Sequence, residues 1–599
     1  MRHLILFLAI ILAACAPSKK AETTAELIQK VETNLVPAVY ITNDSTWTME
    51  ERMKHYGVPG VSIAVIVDGK IAWSKAYGIK DKETQEPVTT EILFQAGSIS
   101  KPVAAYGALK AVDLGKIDPE ANVNNYLTSW KISDNDFTKK QHVTLKHLLS
   151  HTGGLTVHGF WGYSPDLPVP TILQVLNGTP PANSPAIFVD KLPGESFRYS
   201  GGGYTIMQQM LIDIEGKPFP AILNNWVLGP LGMIHSTYNQ PLTGDTLKQA
   251  ATGYLPDHSQ TKGKRHTYPE MAAAGLWTTA EDLAKFAIDI QDTYKGASAK
   301  VLSQPTVKLM LTPYIEDHIG QGIFIDKKGE EVYFQHGGWD EGFSSQLVAH
   351  RDKGLGVVVL TNSNHPAFID ELIRAVAITY NWPNYVPTYQ SVPLTAEDIQ
   401  SIQGKYLYDR NEVVNILEDD GKLFFKYLRW EPMQVYKVND STYMRKERTA
   451  PLLFKTNPAD GKRYLVFGDS KPEERWNHPL MAEGEKVPLE YLVEGDWDSA
   501  VKAYRQLKKD HPDDPSIQEQ NINREGYNLL DRDVKLAVLV FKMNCELFPT
   551  SGNAFDSYAD GLKAAGDKDG AIANYKKAIM IDPKLTETKR KLEELMKAN

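Results

Sequence analysis

The sequence is poor in cysteine. Only Cys15 and Cys545 occur in 599 residues. Two thiols so far apart exclude a disulfide framework and a cysteine-based zinc site. Positive charge is not in excess either: 65 Lys and Arg face 74 Asp and Glu, for a net charge of −9. Nucleic acid needs a basic footprint on its partner, so it is not expected as one. Beyond residue 15 no apolar run reaches the ~20 residues of a membrane-spanning helix. There is no G-x-S-x-G elbow, phosphate loop or dinucleotide fingerprint. An α/β-hydrolase, a P-loop enzyme and a nicotinamide enzyme are set aside accordingly. No metal and no organic cofactor is implied. With 42% apolar and 23% charged residues, the chain can build a core without such staples.

The N-terminus reads MRHLILFLAIILAACAPSKK. Arg2 precedes an apolar run from Leu4 to Ala14, which is too short to span a bilayer but suits a signal-peptide core. The run ends Leu12-Ala13-Ala14-Cys15, which resembles a bacterial lipoprotein cleavage site. On that likeness residues 1–15 are a signal peptide and lipobox, with Cys15 the lipidated residue. The protein is then expected in the cell envelope, anchored to a membrane by lipid and facing the periplasm. Polar residues 16–35 read as a tether.

Residues 36–383 predict an α+β block. The stretch 60–79 reads as two strands joined at Asp68-Gly69, a favoured hairpin turn. Helical patterns cover 98–115, 144–151, 204–215 and 280–291, and 354–363 reads as a buried strand. Strands on either side of a helical middle predict an antiparallel sheet with helices packed on it. Residues 395–480 read as a small all-β domain of short strands and turns. Residues 488–599 are helical and repetitive. Ala500, Ala537 and Ala571 are each followed four residues later by Tyr504, Phe541 and Tyr575, and then by Pro512, Pro549 and Pro583. The steps of 37 and 34 residues lie close to the tetratricopeptide period. This region suits a protein partner rather than chemistry.

The chemistry centres on 94-FQAGSISKP-102. Ser98 and Lys101 are three apart, nearly one helical turn, so their side chains share a face. A serine hydroxyl is a poor nucleophile until a base takes its proton. Lys101 serves as that base only if its pKa falls well below the ordinary ~10.4. On this motif alone, Ser98 is either a helix cap or a nucleophile. Two other Ser-x-x-Lys pairs, Ser259 with Lys262 and Ser499 with Lys502, lie in a polar loop and a repeat helix and read as surface. Two further stretches bear on Ser98. In 193-PGESFRYSGGGYTIMQQM-210, Tyr199 precedes a glycine run that opens a helix. In 334-FQHGGWDEGFSSQLV-348, His336, Gly338 and Trp339 suggest a sheet edge lining a cleft. Its backbone N–H groups suit an oxyanion. His147 and His151 are four apart, but Leu148 stands where a zinc protease needs glutamate, so packing beneath the site explains them. Trp161, Tyr163, Trp277 and Phe343 are equally compatible with cleft lining and core packing.

Ser-x-x-Lys, then Tyr-Ser-x, then His-x-Gly, in this order, resemble the serine β-lactamase and penicillin-recognising family. The pattern is similar to class C β-lactamases, D-alanyl-D-alanine carboxypeptidases and their esterase relatives. The pieces 144-TLKHLLSHTGGL-155, 228-LGPLGM-233 and 274-AGLWTTAEDLAKF-286 match as well, over about residues 45–380. The resemblance implies Ser98 as the acylated nucleophile. Lys101 and Tyr199 would exchange its proton, and Tyr199 would protonate the leaving group. His336 would position substrate and tune the electrostatics, with the N–H groups of Ser98 and Trp339 as oxyanion donors. The substrate would be a D-amino-acid peptide, an ester or a β-lactam. One departure stands out: the family often carries asparagine two residues after the tyrosine, and Gly201 occupies that place. The second reading is a non-catalytic binding or sensor lipoprotein acting through its repeats.

Overall fold

The computed structural model describes residues 22–597, so the signal sequence and Cys15 lie outside the described residues. The chain divides into two compact units. One holds the chain through Pro37 and then Asp44–Pro387; the other holds Ala38–Asn43 and everything from Thr388.

The first unit is built on a six-stranded sheet. Its strands are β1 (Gly60–Val67), β2 (Lys70–Gly78), β3 (Phe324–Lys328), β4 (Glu331–Asp340), β5 (Phe343–His350) and β6 (Gly356–Thr361). The order is β2-β1-β6-β5-β4-β3, antiparallel throughout. The β1–β2 turn has positive φ at both Asp68 (51°) and Gly69 (70°). That is the twist-matched turn the Asp-Gly pair favours. Residues of β1 alternate between two cores. Ala64 and Ile66 join one, with Leu283 and Ala287 of α4 (Ala280–Lys295). Val61, Ile63 and Val65 join the other, with Phe368, Leu372 and Val376 of α5 (Pro366–Thr379). A sheet covered on both faces reads as an apolar run rather than an alternation, and GVSIAVIV does.

The helical middle contributes α1 (Ser100–Asp113), α2 (Gly201–Glu215) and the short α3 (Met271–Ala274). Residues 100–109 of α1 are buried without a break. A helix apolar on every side belongs inside a core. Sequence periodicity predicts one helix over 98–115; instead the chain enters through a 3₁₀ turn, Gly97–Ile99, before α1 begins.

In the second unit, eight strands from Gly404–Leu407 to His478–Pro479 pair in chain order. A bridge from Tyr406 to Leu480 and the Met481 N–H donated to the Lys405 carbonyl at 2.8 Å close them into a barrel. Leu423, Phe425, Val435, Leu452 and Leu465 fill it. Helices follow from Pro488–Val493 to Thr586–Lys597. Three of them, Trp497–Asp510, Val534–Leu547 and Lys568–Ile581, start alike: Asp496, Asp533 and Asp567 accept from the backbone N–H three residues on. Side-chain capping of this kind satisfies donors that a helix start leaves open. Ala500, Ala537 and Ala571 are fully buried. A Cβ on Gly526 or Gly561 would strike the Phe541 ring, so both helices flanking that ring approach it closely.

Candidate active site

Between residues 92 and 109 every residue is buried except Ser98. The chain around it is fastened on several sides. Phe94 and Gln95 pair with Thr278 and Trp277. Ala96 donates its N–H to the Leu276 carbonyl at 2.9 Å, and its own carbonyl accepts from Ser345 Oγ at 2.8 Å. Ser100 Oγ accepts from the Leu276 N–H, and the Ser100 carbonyl accepts from Tyr238 Oη. Gly97 has φ of 51°, and a Cβ there would lie 2.5 Å from Trp339 N. Only glycine meets both demands at low cost. The fold thus presents one hydroxyl from a segment that is otherwise interior.

Lys101 is 2% exposed. Its Nζ lies 3.0 Å from Ser98 Oγ and 2.8 Å from the Ala273 carbonyl. That carbonyl belongs to α3, whose first turn is closed by the Glu270 carbonyl, which accepts from the N–H groups of Ala273 and Ala274. Gln208 of α2 holds this segment from the other side, donating to the Pro269 carbonyl and accepting from the Ala272 N–H. The lysine is therefore aimed by a rigid backbone acceptor, which leaves no side-chain signal in the sequence.

Tyr199 comes to the same place. Its ring centroid is 4.9 Å from Lys101 Nζ. Ser200 caps α2 by accepting the Gly203 N–H, and the Ser200 N–H donates to His151 Nδ1 at 3.1 Å. His151 and His158 pack on the Tyr199 ring at 4.3 and 4.8 Å, and Phe324 stacks at 6.3 Å. His147 and His151 serve packing and backbone hydrogen bonds, as their spacing without a third ligand suggests. No cluster of three or more His, Cys, Asp or Glu side chains that could hold a metal ion occurs among the described residues.

His336, Gly338 and Trp339 lie on β4 beyond the part that β3 pairs, which ends at Gln335. This freed edge faces the Gly97 turn. A Cβ on Gly338 would collide with the Ala96 carbonyl and Ser345 Oγ. His336 is buried, with Nδ1 2.7 Å from the Gly337 carbonyl. Burial, with the charge of Lys101 nearby, pushes its pKa down to about 3. It is thus a neutral imidazole. With Nδ1 donating to the carbonyl, Nε2 carries a lone pair and accepts hydrogen bonds. Gly201 has no side-chain amide and no room for one. Its Cβ would meet the Phe160 ring at 3.0 Å and the His158 carbonyl at 3.1 Å, and its N–H donates to that same carbonyl at 2.9 Å. Of the four aromatics in question, Tyr163, Trp277 and Phe343 are core, while Trp161 stands 65% exposed beside Trp339.

Sequence reading also missed two acids. Glu270 and Asp340 are buried, and no side chain among the described residues donates to either carboxyl. Burial raises Glu270 to about 8 and Asp340 well above the carboxylate range. The sign of the resulting pH dependence is fixed. Between the ordinary value of 4.5 and about 8, the unfolded chain gives up a Glu270 proton that the folded chain keeps. Folding stability therefore falls as pH rises through that window and levels off above it. Glu270→Gln removes this loss. Urea unfolding at pH 5 and pH 8.5 is expected to show the variant gaining on the parent by up to about 1.4 kcal/mol per pH unit crossed. An unchanged difference at the two pH values would mean that Glu270 ionises normally.

A serine with a lysine at hydrogen-bond distance, a tyrosine over the lysine and a strand edge beside the serine form an arrangement chemically suited to acyl transfer. The Beta-lactamase family model matches residues 48–380, the span that carries all of these groups. The chain belongs to the Beta-lactamase family. It thereby joins a β-lactamase-fold family of serine hydrolases. Protein flp of Staphylococcus aureus (strain N315) is 25% identical over 339 residues, covering 54% of this chain and 64% of flp. The putative penicillin-binding protein PbpX of Bacillus subtilis (strain 168) is 26% identical over 298 residues, covering 47% of this chain and 66% of PbpX. The chain thus spans a little under two thirds of the curated relatives it matches. Among solved structures, the octameric penicillin-binding protein homologue from Pyrococcus abyssi is 21% identical, with a TM-score of 0.49 over 70% of this chain and 96% of that one. D-amino acid amidase from Ochrobactrum anthropi SV3 is 19% identical, with a TM-score of 0.47 over 59% of this chain and 99% of that one.

Proposed function

We propose that the first unit hydrolyses ester or amide bonds through an acyl-enzyme on Ser98. The observation that carries this reading is the buried Lys101 amine 3.0 Å from the one unburied residue of its segment. Lys101 accepts the Ser98 proton as Oγ adds to the substrate carbonyl. The N–H groups of Ser98 and Trp339 receive the oxyanion. The proton passes through Tyr199 to the leaving oxygen or nitrogen, and the carbon–heteroatom bond breaks. Water then adds to the ester on Ser98 while Lys101 takes one of its protons, and that proton passes to Oγ as the bond between Oγ and the acyl carbon breaks, which releases the acid and restores the serine. Neutral His336 contributes an acceptor rather than a charge. Gly201 weighs against dependence on an acylamino side chain, and therefore against β-lactams as the main substrate.

The working position of the enzyme follows from the N-terminal likeness: a lipoprotein held by Cys15, with the catalytic unit in the periplasm. The helices after Pro488 are read as tetratricopeptide-type repeats that bind a protein partner. Their regular Asp caps and the close approach of neighbouring helices at Phe541 support this.

The test is hydrolysis of p-nitrophenyl acetate. Ser98→Ala is expected to lower kcat by about 10³-fold or more while leaving circular dichroism unchanged. Equal turnover by a folded Ser98→Ala variant would place the nucleophile elsewhere.

A further inference from the structure

Two indoles mark the rim of the site. Trp161 is 65% and Trp339 41% exposed, and their rings meet edge to face with centroids 6.0 Å apart. Single exposed apolar residues are ordinary on a surface. A pair of tryptophans in contact beside a nucleophile is not, because each indole left in water forgoes a large burial gain. Trp339 cannot be far from the chemistry. Its backbone nitrogen abuts Gly97, the residue before Ser98.

Nor is Trp161 on a loose loop. Ser200 Oγ donates to the Thr156 carbonyl, and the Gly201 N–H donates to the His158 carbonyl. The Trp161 carbonyl lies 2.9 Å from His266 Nδ1, and Tyr163 and Thr267 exchange backbone hydrogen bonds. This same loop fills the space beside Gly201 with Phe160 and the His158 backbone. One change therefore has two consequences. The place of an amide-recognising side chain is closed, and the segment that closes it carries an exposed indole to the rim.

We infer that Trp161 and Trp339 together form an apolar wall against which a flat group next to the scissile carbonyl packs, so that the preferred substrates are esters or amides of aryl-substituted acids without an acylamino group. The inference rests on the Ser98 acyl-enzyme reading. The indole faces supply area and edge-to-face contacts, and the backbone that carries Trp161 is already fixed. Trp339 also supplies an oxyanion donor, so Trp161 is the specificity-determining residue that can be varied alone.

The experiment compares kcat/KM for p-nitrophenyl phenylacetate, p-nitrophenyl acetate and the p-nitrophenyl ester of N-acetylphenylalanine. The full chain is expected to favour phenylacetate over acetate by about tenfold or more, with no gain from the acetylamino group. Trp161→Ala is expected to lower the phenylacetate-to-acetate ratio by about tenfold, chiefly through KM, and Trp161→Phe to restore most of it. A ratio that Trp161→Ala leaves unmoved, or a parent enzyme that favours acetate or the N-acetylated ester, overturns the tryptophan wall while acyl-enzyme chemistry stands. No turnover of any of the three esters, together with no fluorophosphonate adduct on Ser98, overturns both readings.

Discussion

Lys101→Met is expected to lower kcat for ester hydrolysis by about 10²–10⁴-fold, the range ascribed to a positioned general base. The substitution is chosen because Lys101 is almost wholly buried. Methionine keeps the length and apolar stem of the side chain and deletes the amine. It also leaves the Ala273 carbonyl without its donor, which costs about 1–3 kcal/mol when a buried acceptor loses its partner. The variant should thus unfold somewhat earlier and still be folded under assay conditions, which circular dichroism checks. KM should change little, because the amine touches the serine rather than the bound substrate. If kcat fell only a few-fold, Lys101 would be a structural cation that holds Ala273, and the base would have to be sought elsewhere.

The second large effect is expected at Gly338. An added Cβ would run into the Ala96 carbonyl and Ser345 Oγ, which are themselves hydrogen-bonded to each other. Neither is the free end of a flexible chain. Gly338→Ala must therefore move β4 away from the Gly97 turn, carrying the Trp339 N–H with it. Loss of one aligned oxyanion donor is worth about 10²–10³ in kcat, and the forced shift costs about 1–3 kcal/mol of stability. Both should be seen together, in kcat at fixed KM and in the urea midpoint. The methyl group acts through backbone it never bonds to, so a variant with normal kcat and normal stability would show that this strand edge is not part of the reaction site.

Much of this was legible from residues close together in the chain. Ser98 and Lys101 declare themselves because three residues make nearly a helical turn. Gly97 stands where the turn needs positive φ and a close approach to Trp339. The Asp68-Gly69 hairpin and the apolar β1 strand follow from local rules alone. The missing parts are those that depend on distant segments. Ala273 aims Lys101 through a carbonyl that any residue could supply, across 172 positions of chain. His151 and His158 from one stretch and Phe324 from another gather around Tyr199. Glu270 looks like a surface acid in PEMAAAG and is fully buried. The first turn of α1 departs from the periodic pattern because Gly97 and the fastened Ala96 hold it as a 3₁₀ turn. Ala38–Asn43 gives no local sign that it leaves the first unit, yet Tyr40–Thr42 pairs with Thr388–Gln390 in the second.

The central claim is that Ser98 is an activated nucleophile. It is tested most directly by the intact mass of the protein after brief exposure to a small fluorophosphonate, followed by peptide mapping, with Ser98→Ala as control. The expected result is a single adduct on the peptide that carries Ser98, absent from the variant. Folded, ester-hydrolysing protein that stays unlabelled at Ser98, or takes the label equally with alanine there, would contradict it.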